Sequence, residues 1–155
     1  MRLLLPIVIF SLTAFVSCNN NPSDKPAVIN TPVEAAQPSD LNGCYGYKTD
    51  KVTISLQVRT IGDTITGTLI YNYAEKDDNT GTFKGAFSGD TLFADYTFTS
   101  EGMETVREVA FVRSGDKLKE GYGDVEDKDG KIIFRDRGFL IFPGKVTLVK
   151  GECGK

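Results

Sequence analysis

The chain contains no histidine and no tryptophan, and only three of its 155 residues are cysteines. Imidazole is the usual general base near neutral pH and the commonest ligand of transition metals. The absence of histidine therefore excludes Ser-His-Asp and Cys-His catalysis. It also argues against a zinc site, and we expect no bound metal and no cofactor.

A strong charge of either sign is also lacking. The chain has 18 basic and 21 acidic side chains, and its net charge is −3. Loss of residues 1–18 removes Arg2 alone, which leaves 17 basic against 21 acidic groups and a net charge of −4. No Lys/Arg cluster is interleaved with aromatic residues, so we expect no nucleic-acid partner.

The apolar run near the N-terminus is too short to span a bilayer. It extends over 14 residues from Leu3 to Val16 after the charged Arg2, whereas a transmembrane helix needs about 20. With Ser17 as a small residue before Cys18, this pattern is typical of a secretory signal peptide. An uncleaved anchor and an ordinary secreted protein remain the alternatives.

The four residues Phe15-Val16-Ser17-Cys18 resemble the lipobox of bacterial lipoproteins. The resemblance implies a signal peptide over residues 1–17, cleavage before Cys18, and diacylation of that cysteine. It places the protein in the bacterial cell envelope, bound to a membrane through its lipid. Whether the protein faces the periplasm or the cell surface is left open.

Residues 18–40 are predicted to form a tether and residues 41–155 the folded domain. The tether contains Pro22, Pro26, Pro32 and Pro38, with few large apolar side chains. Such a segment does not form a core, and its flexible reach is about 25 Å. The remaining length suits one compact domain.

With Cys18 lipidated, Cys44 and Cys153 are left as a pair. An oxidising compartment favours a disulfide between them over a zinc site or a thiol nucleophile. A pair of free redox thiols is the alternative, although the chain lacks a C-x-x-C motif.

From Leu41 onward, apolar and polar residues alternate with a period of two, as in half-buried strands. No part of the domain has the spacing of a helix. The predicted strands are 44–47, 52–59, 64–75, 82–88, 91–100, 105–113, 117–125, 131–135 and 146–149.

Gly-Asp pairs recur between these strands, at Gly62-Asp63, Gly89-Asp90 and Gly115-Asp116. Glycine accepts the positive φ of a tight hairpin, so these pairs predict three two-residue turns at one end of the sheet. Longer acidic loops are predicted at the other end, over residues 75–81, 100–104 and 126–130.

An antiparallel up-and-down meander of eight or nine strands is expected to close into a small barrel, because closure pairs the edge strands. Cys44 and Cys153 would then meet at the Gly-Asp end. The segment Leu41-Asn42-Gly43-Cys44-Tyr45-Gly46-Tyr47 resembles the opening of a calycin-type barrel, the lipocalin and avidin group, with Tyr45 where that group usually has tryptophan. The resemblance concerns architecture over residues 41–153 and implies no ligand.

Alternation also predicts which side chains point into the barrel. The first inward set is Ile65, Gly67, Leu69, Tyr71, Tyr73, Phe83, Gly85, Phe87, Leu92, Ala94, Tyr96 and Phe98. Leu118, Glu120 and Tyr122 form a second set. For the strand at 105–113, the face of Arg107, Val109 and Phe111 competes with the face of Val106, Glu108 and Ala110.

An inward Arg107 must be paired, because an isolated buried charge costs several kcal/mol. Glu120 on the adjacent strand is the predicted partner, within a barrel already filled by aromatic residues. The competing interpretation is a ligand site, in which Arg107 binds an anionic or carbonyl group. Its other predicted members are Glu120, Tyr71, Tyr73, Tyr96 and Tyr122.

Three further features have a functional and a structural interpretation. Glu108 and Glu120 could act as an acid/base pair in a carboxylate hydrolase. Asp77, Asn79 and Gly81 match part of a calcium loop without its terminal Glu, so they are interpreted as solvated turns. Phe139-Leu140-Ile141-Phe142-Pro143 is predicted to seal one end of the barrel, with an exposed docking patch as the alternative.

The sequence thus favours a lipid-anchored, non-enzymatic binding module for a small apolar or amphipathic ligand. The alternative is a filled barrel whose loops bind another envelope protein. No catalytic residue is assigned.

Overall fold

The computed structural model describes residues 41–153, and the regular secondary structure of this part is β-strand apart from one 3₁₀ turn. The signal peptide, Cys18 and the tether predicted over residues 18–40 lie outside the described residues. The strands are β1 (Gly43–Lys48), β2 (Val52–Ile61), β3 (Thr64–Tyr73), β4 (Lys76–Ser88), β5 (Thr91–Ser100), β6 (Met103–Ser114), β7 (Lys117–Glu120), β8 (Val125–Lys128), β9 (Lys131–Phe134) and β10 (Thr147–Gly151). A 3₁₀ turn at Arg137–Phe139 separates β9 from β10.

Eight strands close into an antiparallel barrel, as the alternation predicted. Strands β1 to β7 pair in sequence order, and β10 then joins β7 to β1. Closure provides both edges of each barrel strand with a neighbour, which removes the unpaired edges of an open sheet. In residues 41–153 no helix has the length and apolarity needed to cross a bilayer.

The core lies inside the barrel and contains most of the predicted inward residues, together with apolar residues of β1, β2 and β10. Large side chains that are almost fully enclosed include Leu56, Ile65, Leu69, Leu92, Phe111, Leu118 and Leu148. On β6, the Arg107 face points inward, since Val109 and Phe111 belong to this core. The predicted inward positions on β3, β4 and β5 are confirmed, with Tyr73 and Phe87 partly buried at its margin.

The three Gly-Asp pairs form two-residue hairpin turns, as predicted. The flanking residues pair directly across each turn, as Ile61 does with Thr64. Gly62, Gly89 and Gly115 have φ of 60°, 60° and 63°. Positive φ is costly for residues that carry a Cβ, so glycine is the residue that these turns require.

The turns and the disulfide mark one end of the barrel, here called the disulfide end. Cys44 and Cys153 are bonded, with their Cα atoms 5.1 Å apart. Cys44 lies opposite Gly151 on β10, and Lys150 N donates to Asp116 O beside the third Gly-Asp turn. The predicted disulfide and its place beside these turns are confirmed.

The acidic loops predicted for the opposite end are wrong in their length. Residues 76–81 belong to β4, which runs to Ser88 and pairs with β3 and β5. Only Ala74 and Glu75 separate β3 from β4, and only Glu101 and Gly102 separate β5 from β6. Polar side chains hide the strand pattern, whereas pairing depends on backbone groups that every residue here supplies.

The predicted strand at 117–125 ends instead at Glu120. Residues 121–146, here called the inserted segment, leave the barrel wall between β7 and β10. A Cβ on Gly121 would lie 2.5 Å from the Phe142 ring, and one on Gly123 would lie 2.5 Å from Leu140. The two glycines therefore let the segment fold back closely upon itself.

The inserted segment covers the outer face of β6. Its hairpin β8–β9 attaches through parallel pairing of β9 with Val106 and Arg107. Glu108 is buried there, where its carboxylate accepts hydrogen bonds from Phe134 N (3.0 Å) and from the Arg137 guanidinium. A buried carboxylate with two donors fixes this segment to the barrel.

The apolar run 139–143 does not seal the barrel as a unit. Leu140 and Phe142 are partly buried against Gly123 and Gly121. Phe139 and Ile141 are 82% and 63% exposed. The run therefore divides by alternation into a packed face and a face open to solvent.

Candidate functional site

An open cavity of about 510 Å³ lies at the end of the barrel opposite the disulfide, here called the open end. Its walls come from β1, β2, β3, β6 and β7 of the barrel and from the inserted segment. Its lining residues are Tyr47, Val52, Ile54, Tyr71, Tyr73, Arg107, Glu108, Val109, Glu120, Gly121, Tyr122, Gly123, Val125, Ile132, Phe134, Lys145 and Val146. The barrel is thus filled at the disulfide end and concave at the open end.

Arg107 carries a positive charge into this cavity from β6. Its guanidinium carbon lies 5.0 Å from the Tyr71 ring centre, 5.5 Å from that of Tyr96 and 5.4 Å from that of Phe98. Aromatic faces attract cations, more so when water is excluded. Arg107 Nε is buried and has no hydrogen-bond partner among the described residues.

Glu120 supplies a negative charge from the end of β7. The residue is only 8% exposed. Its Oε1 accepts a hydrogen bond from Tyr71 Oη (2.6 Å), and its Oε2 accepts one from Tyr122 Oη (2.7 Å). Two phenol donors therefore stabilise the carboxylate, one on each oxygen.

The predicted Arg107–Glu120 ion pair is not formed. Among residues 41–153, ion pairs join Arg113 to Asp90, Lys131 to Asp95, Arg135 to Glu126 and Arg137 to Glu108. Tyr71 links the two charges instead, because its ring lies beneath the guanidinium and its hydroxyl donates to the carboxylate. Arg107 and Glu120 thus share a cavity without neutralising each other by contact.

The structure brings together five of the six residues predicted for the ligand site. Tyr71, Tyr73, Arg107, Glu120 and Tyr122 line the cavity. Tyr96 is fully buried behind Arg107, and its hydroxyl donates to Asn79 O (2.7 Å). It supports the guanidinium without lining the cavity.

Sequence reasoning missed several residues of the cavity wall. Tyr47 alternates with Tyr45, and this alternation could have placed it on the inner face of β1. Ile132, Phe134 and Lys145 reach the cavity only because the inserted segment folds over its edge. No local pattern in the sequence marks that fold.

Glu108 and Glu120, the residues of the acid/base hypothesis, both line the cavity, but their carboxylates have different hydrogen-bond partners. Glu108 is held by Arg137 and Phe134, whereas Glu120 is held by Tyr71 and Tyr122. The partial calcium motif is part of a strand, since Asn79 and Gly81 lie in β4 and pair with residues of β3. No cluster of potential metal ligands occurs among residues 41–153.

The tyrosines at the site hold their protons strongly. Burial raises the pKa of Tyr71 well above its ordinary value, and the adjacent Glu120 charge and hydrogen bond raise it further. Burial and the Glu120 hydrogen bond raise the pKa of Tyr122. Burial raises the pKa of Tyr96 to about 12, against an opposing effect of Arg107. All three are neutral hydrogen-bond donors at physiological pH.

These shifts predict a loss of stability in alkali. A raised folded-state pKa stabilises the fold below the unfolded value of about 10, and the stabilisation is lost as the pH rises toward the folded value. We expect Tyr96→Phe to lower the free energy of unfolding by about 1 kcal/mol at neutral pH, through the lost hydrogen bond. This difference in unfolding free energy should shrink between about pH 10 and 12. Tyr96 loses its proton on unfolding in this range, which destabilises the unsubstituted protein, called the parent chain, and not the Phe variant. Urea denaturation across this range measures it, and a deficit independent of pH would contradict the assignment.

Comparison of the chain with protein-family models, with curated proteins and with solved structures gives no match.

Proposed function

We propose that this chain is a lipid-anchored protein of the bacterial cell envelope whose barrel binds a small apolar or amphipathic ligand without chemical conversion. The lipobox-like residues at Phe15-Val16-Ser17-Cys18 support export and anchoring through Cys18. The cavity at the open end is the proposed binding site.

One observation carries the binding function: Arg107 brings a charge into the cavity and forms no ion pair with a described residue. A charge withdrawn from water is costly unless a partner compensates it. Aromatic rings compensate it only in part, because they accept no hydrogen bond of normal strength from Nε. An anionic or carbonyl oxygen of a ligand in the cavity would compensate the charge at the accessible part of the guanidinium.

The cavity walls support an amphipathic ligand. Val52, Ile54 and Val109 form apolar wall surface, and Ile132 and Phe134 add to it from the inserted segment. Apolar walls with a few placed polar groups are typical of small-molecule sites, which commonly have volumes of about 300–1,000 Å³.

A second candidate function is the binding of another envelope protein through the outer surface. Phe139 and Ile141 are exposed next to Tyr122, which pairs with Ile141 in a backbone bridge. Exposed apolar side chains that adjoin one another favour an interaction surface. In this function the cavity would stay unused.

Native mass spectrometry of the full chain purified from its own envelope tests the proposal. We expect a mass that corresponds to loss of residues 1–17, to acylation of Cys18 and to one bound small molecule. Arg107→Ala should remove the bound molecule and leave the folded barrel intact, as judged by circular dichroism.

Arg113→Ala is the matched control. Arg113 lies on the same strand and face as Arg107, but its guanidinium stacks on Phe87 and approaches Asp90 near the disulfide end. Retention of ligand by Arg113→Ala together with its loss from Arg107→Ala supports the site. Equal retention by both variants would exclude Arg107 from binding.

A further inference from the structure

The geometry points to a zwitterionic head group as the chemistry that the cavity recognises, with its anionic part on Arg107 and its cationic nitrogen at Glu120. This inference rests on the proposed binding function and specifies the class of ligand. It starts from the presence of two opposite charges in one cavity, neither of which is neutralised by contact with the protein.

The carboxylate of Glu120, here called the negative pole, can accept further hydrogen bonds. Each oxygen of a carboxylate has two lone pairs, and each oxygen of Glu120 accepts one phenol hydrogen bond. No ion pair joins Glu120 to a basic side chain within residues 41–153. A cationic group entering from the cavity would meet an oriented and mostly buried carboxylate.

The guanidinium of Arg107, here called the positive pole, is also fixed in position. The guanidinium of Arg107 rests on the rings of Tyr71, Tyr96 and Phe98, which hold it in place. Tyr96 is itself fixed by its bond to Asn79 O, and its ring stacks on Phe98 at 4.8 Å. A rigid guanidinium with unused donors is suited to a phosphate or carboxylate.

Tyr71 keeps the two poles apart. Its ring contacts Arg107 and its hydroxyl bonds Glu120, so closer approach of the two charges would sacrifice one of these contacts. A ligand with separated charges can satisfy both poles at once. An anion alone would be repelled by Glu120, and a cation alone would be repelled by Arg107.

Tyrosine rings line the cavity, and the side near Glu120 is formed by Tyr71 and Tyr122, whose hydroxyls donate to its carboxylate. Tyr47, Tyr71, Tyr73 and Tyr122 all contribute to the wall, and the rings of Tyr71 and Tyr73 stack with centres 6.3 Å apart. Rings of this kind bind ammonium groups through their faces, including quaternary ones that cannot donate a hydrogen bond. The cationic part of the head group is therefore expected on this side.

The test compares four probes with the same six-carbon chain: hexylphosphocholine, hexyl methyl phosphate, hexyltrimethylammonium and hexanol. Their binding to the full chain, kept soluble in an amphipathic polymer without zwitterionic groups, is measured by calorimetry. We expect hexylphosphocholine to bind about tenfold more tightly than either singly charged probe, as two satisfied poles rather than one would give.

Two variants remove one pole each and distinguish recognition from a merely structural role. Arg107→Met should weaken hexylphosphocholine and strengthen hexyltrimethylammonium, because the repelling cation is gone. Glu120→Gln should weaken the binding of hexylphosphocholine and strengthen that of hexyl methyl phosphate. This crossed pattern is expected only if each pole recognises its own half of the head group, since general loss of structure weakens all probes together.

A fifth probe, glycerophosphocholine, has the same zwitterionic phosphodiester without an alkyl tail and distinguishes the two sources of such a head group. Binding that requires the hexyl tail indicates a lipid, whereas equal binding without it indicates a free zwitterion, and both support the head-group assignment. If a singly charged probe or hexanol binds the parent chain as tightly as hexylphosphocholine, the zwitterion inference is wrong and the binding function stands. If none of the five probes binds, the zwitterion inference is overturned, and the bound mass in native mass spectrometry decides the binding function separately.

Discussion

Replacing Gly67 with alanine is expected to lower the free energy of unfolding of the barrel by more than about 4 kcal/mol, which is exceptional for a single substitution. An added Cβ would overlap the backbone carbonyl of Gln57 on β2 and lie 3.0 Å from the Phe83 ring. Backbone atoms cannot move aside as the end of a side chain can. The same change at Gly85 would place its Cβ 2.6 Å from the Ala94 Cα, with a similar expected cost.

Gly46→Ala is the control, since Gly46 also lies in a strand but has its nearest neighbour, Ile54 O, at 3.9 Å. Urea denaturation of the three variants measures the difference. Glycine generally weakens a strand through its entropy and lack of packing, so Gly46→Ala should be neutral or slightly stabilising. Equal stability of all three variants would mean that β3 and β4 do not approach their neighbours this closely.

Removal of the disulfide by the double change Cys44→Ser and Cys153→Ser should lower the free energy of unfolding by roughly 4–5 kcal/mol. The bond joins residues 109 positions apart, and in the chain-entropy model a loop of about this length restricts the unfolded chain strongly. Because the bond lies at the disulfide end, ligand binding at the open end should persist while the variant remains folded.

Chemical reduction of the parent chain provides an independent comparison for this prediction. The reduced parent and the double variant should show the same denaturation midpoint, well below that of the oxidised parent. A midpoint that changes little in either case would show that the strand pairing of β1 with β10 closes the barrel without help from the bond.

The barrel strands were largely predictable because one face of each strand is buried and the other is exposed to solvent. That arrangement imposes an alternation with a period of two, and Leu92, Ala94, Tyr96 and Phe98 follow it throughout β5. The Gly-Asp turns were predictable for a local reason as well, since positive φ selects glycine. The meander and its closure followed from these two signals.

The inserted segment escaped prediction because long-range contacts determine it. β8 is exposed at all four positions and pairs only with β9, so its sequence carries no buried face. The parallel attachment of β9 to β6 joins strands that lie apart in the chain. The burial of Glu108 beneath this segment depends on Arg137, which lies 29 residues away.

The candidate site was predictable in membership but not in connectivity. Alternation placed Glu120 and Tyr71 inside the barrel and left two faces open for the strand of Arg107. Electrostatics suggested that an inward Arg107 would pair with Glu120. The phenol of Tyr71 intervenes because it can satisfy both, one through its ring and one through its hydroxyl. These contacts of Tyr71 depend on where the three side chains lie in the cavity, and the order of residues along the chain does not determine those positions.

The disulfide end also determines how the molecule can be held. Leu41 accepts a hydrogen bond from Tyr45, Asn42 accepts one from Thr60 near the first Gly-Asp turn, and Cys153 is bonded to Cys44 at that same end. Both ends of the described chain thus leave the barrel on the side away from the cavity. A group attached directly at Leu41 or at Cys153 would therefore lie at the disulfide end, away from the cavity entrance.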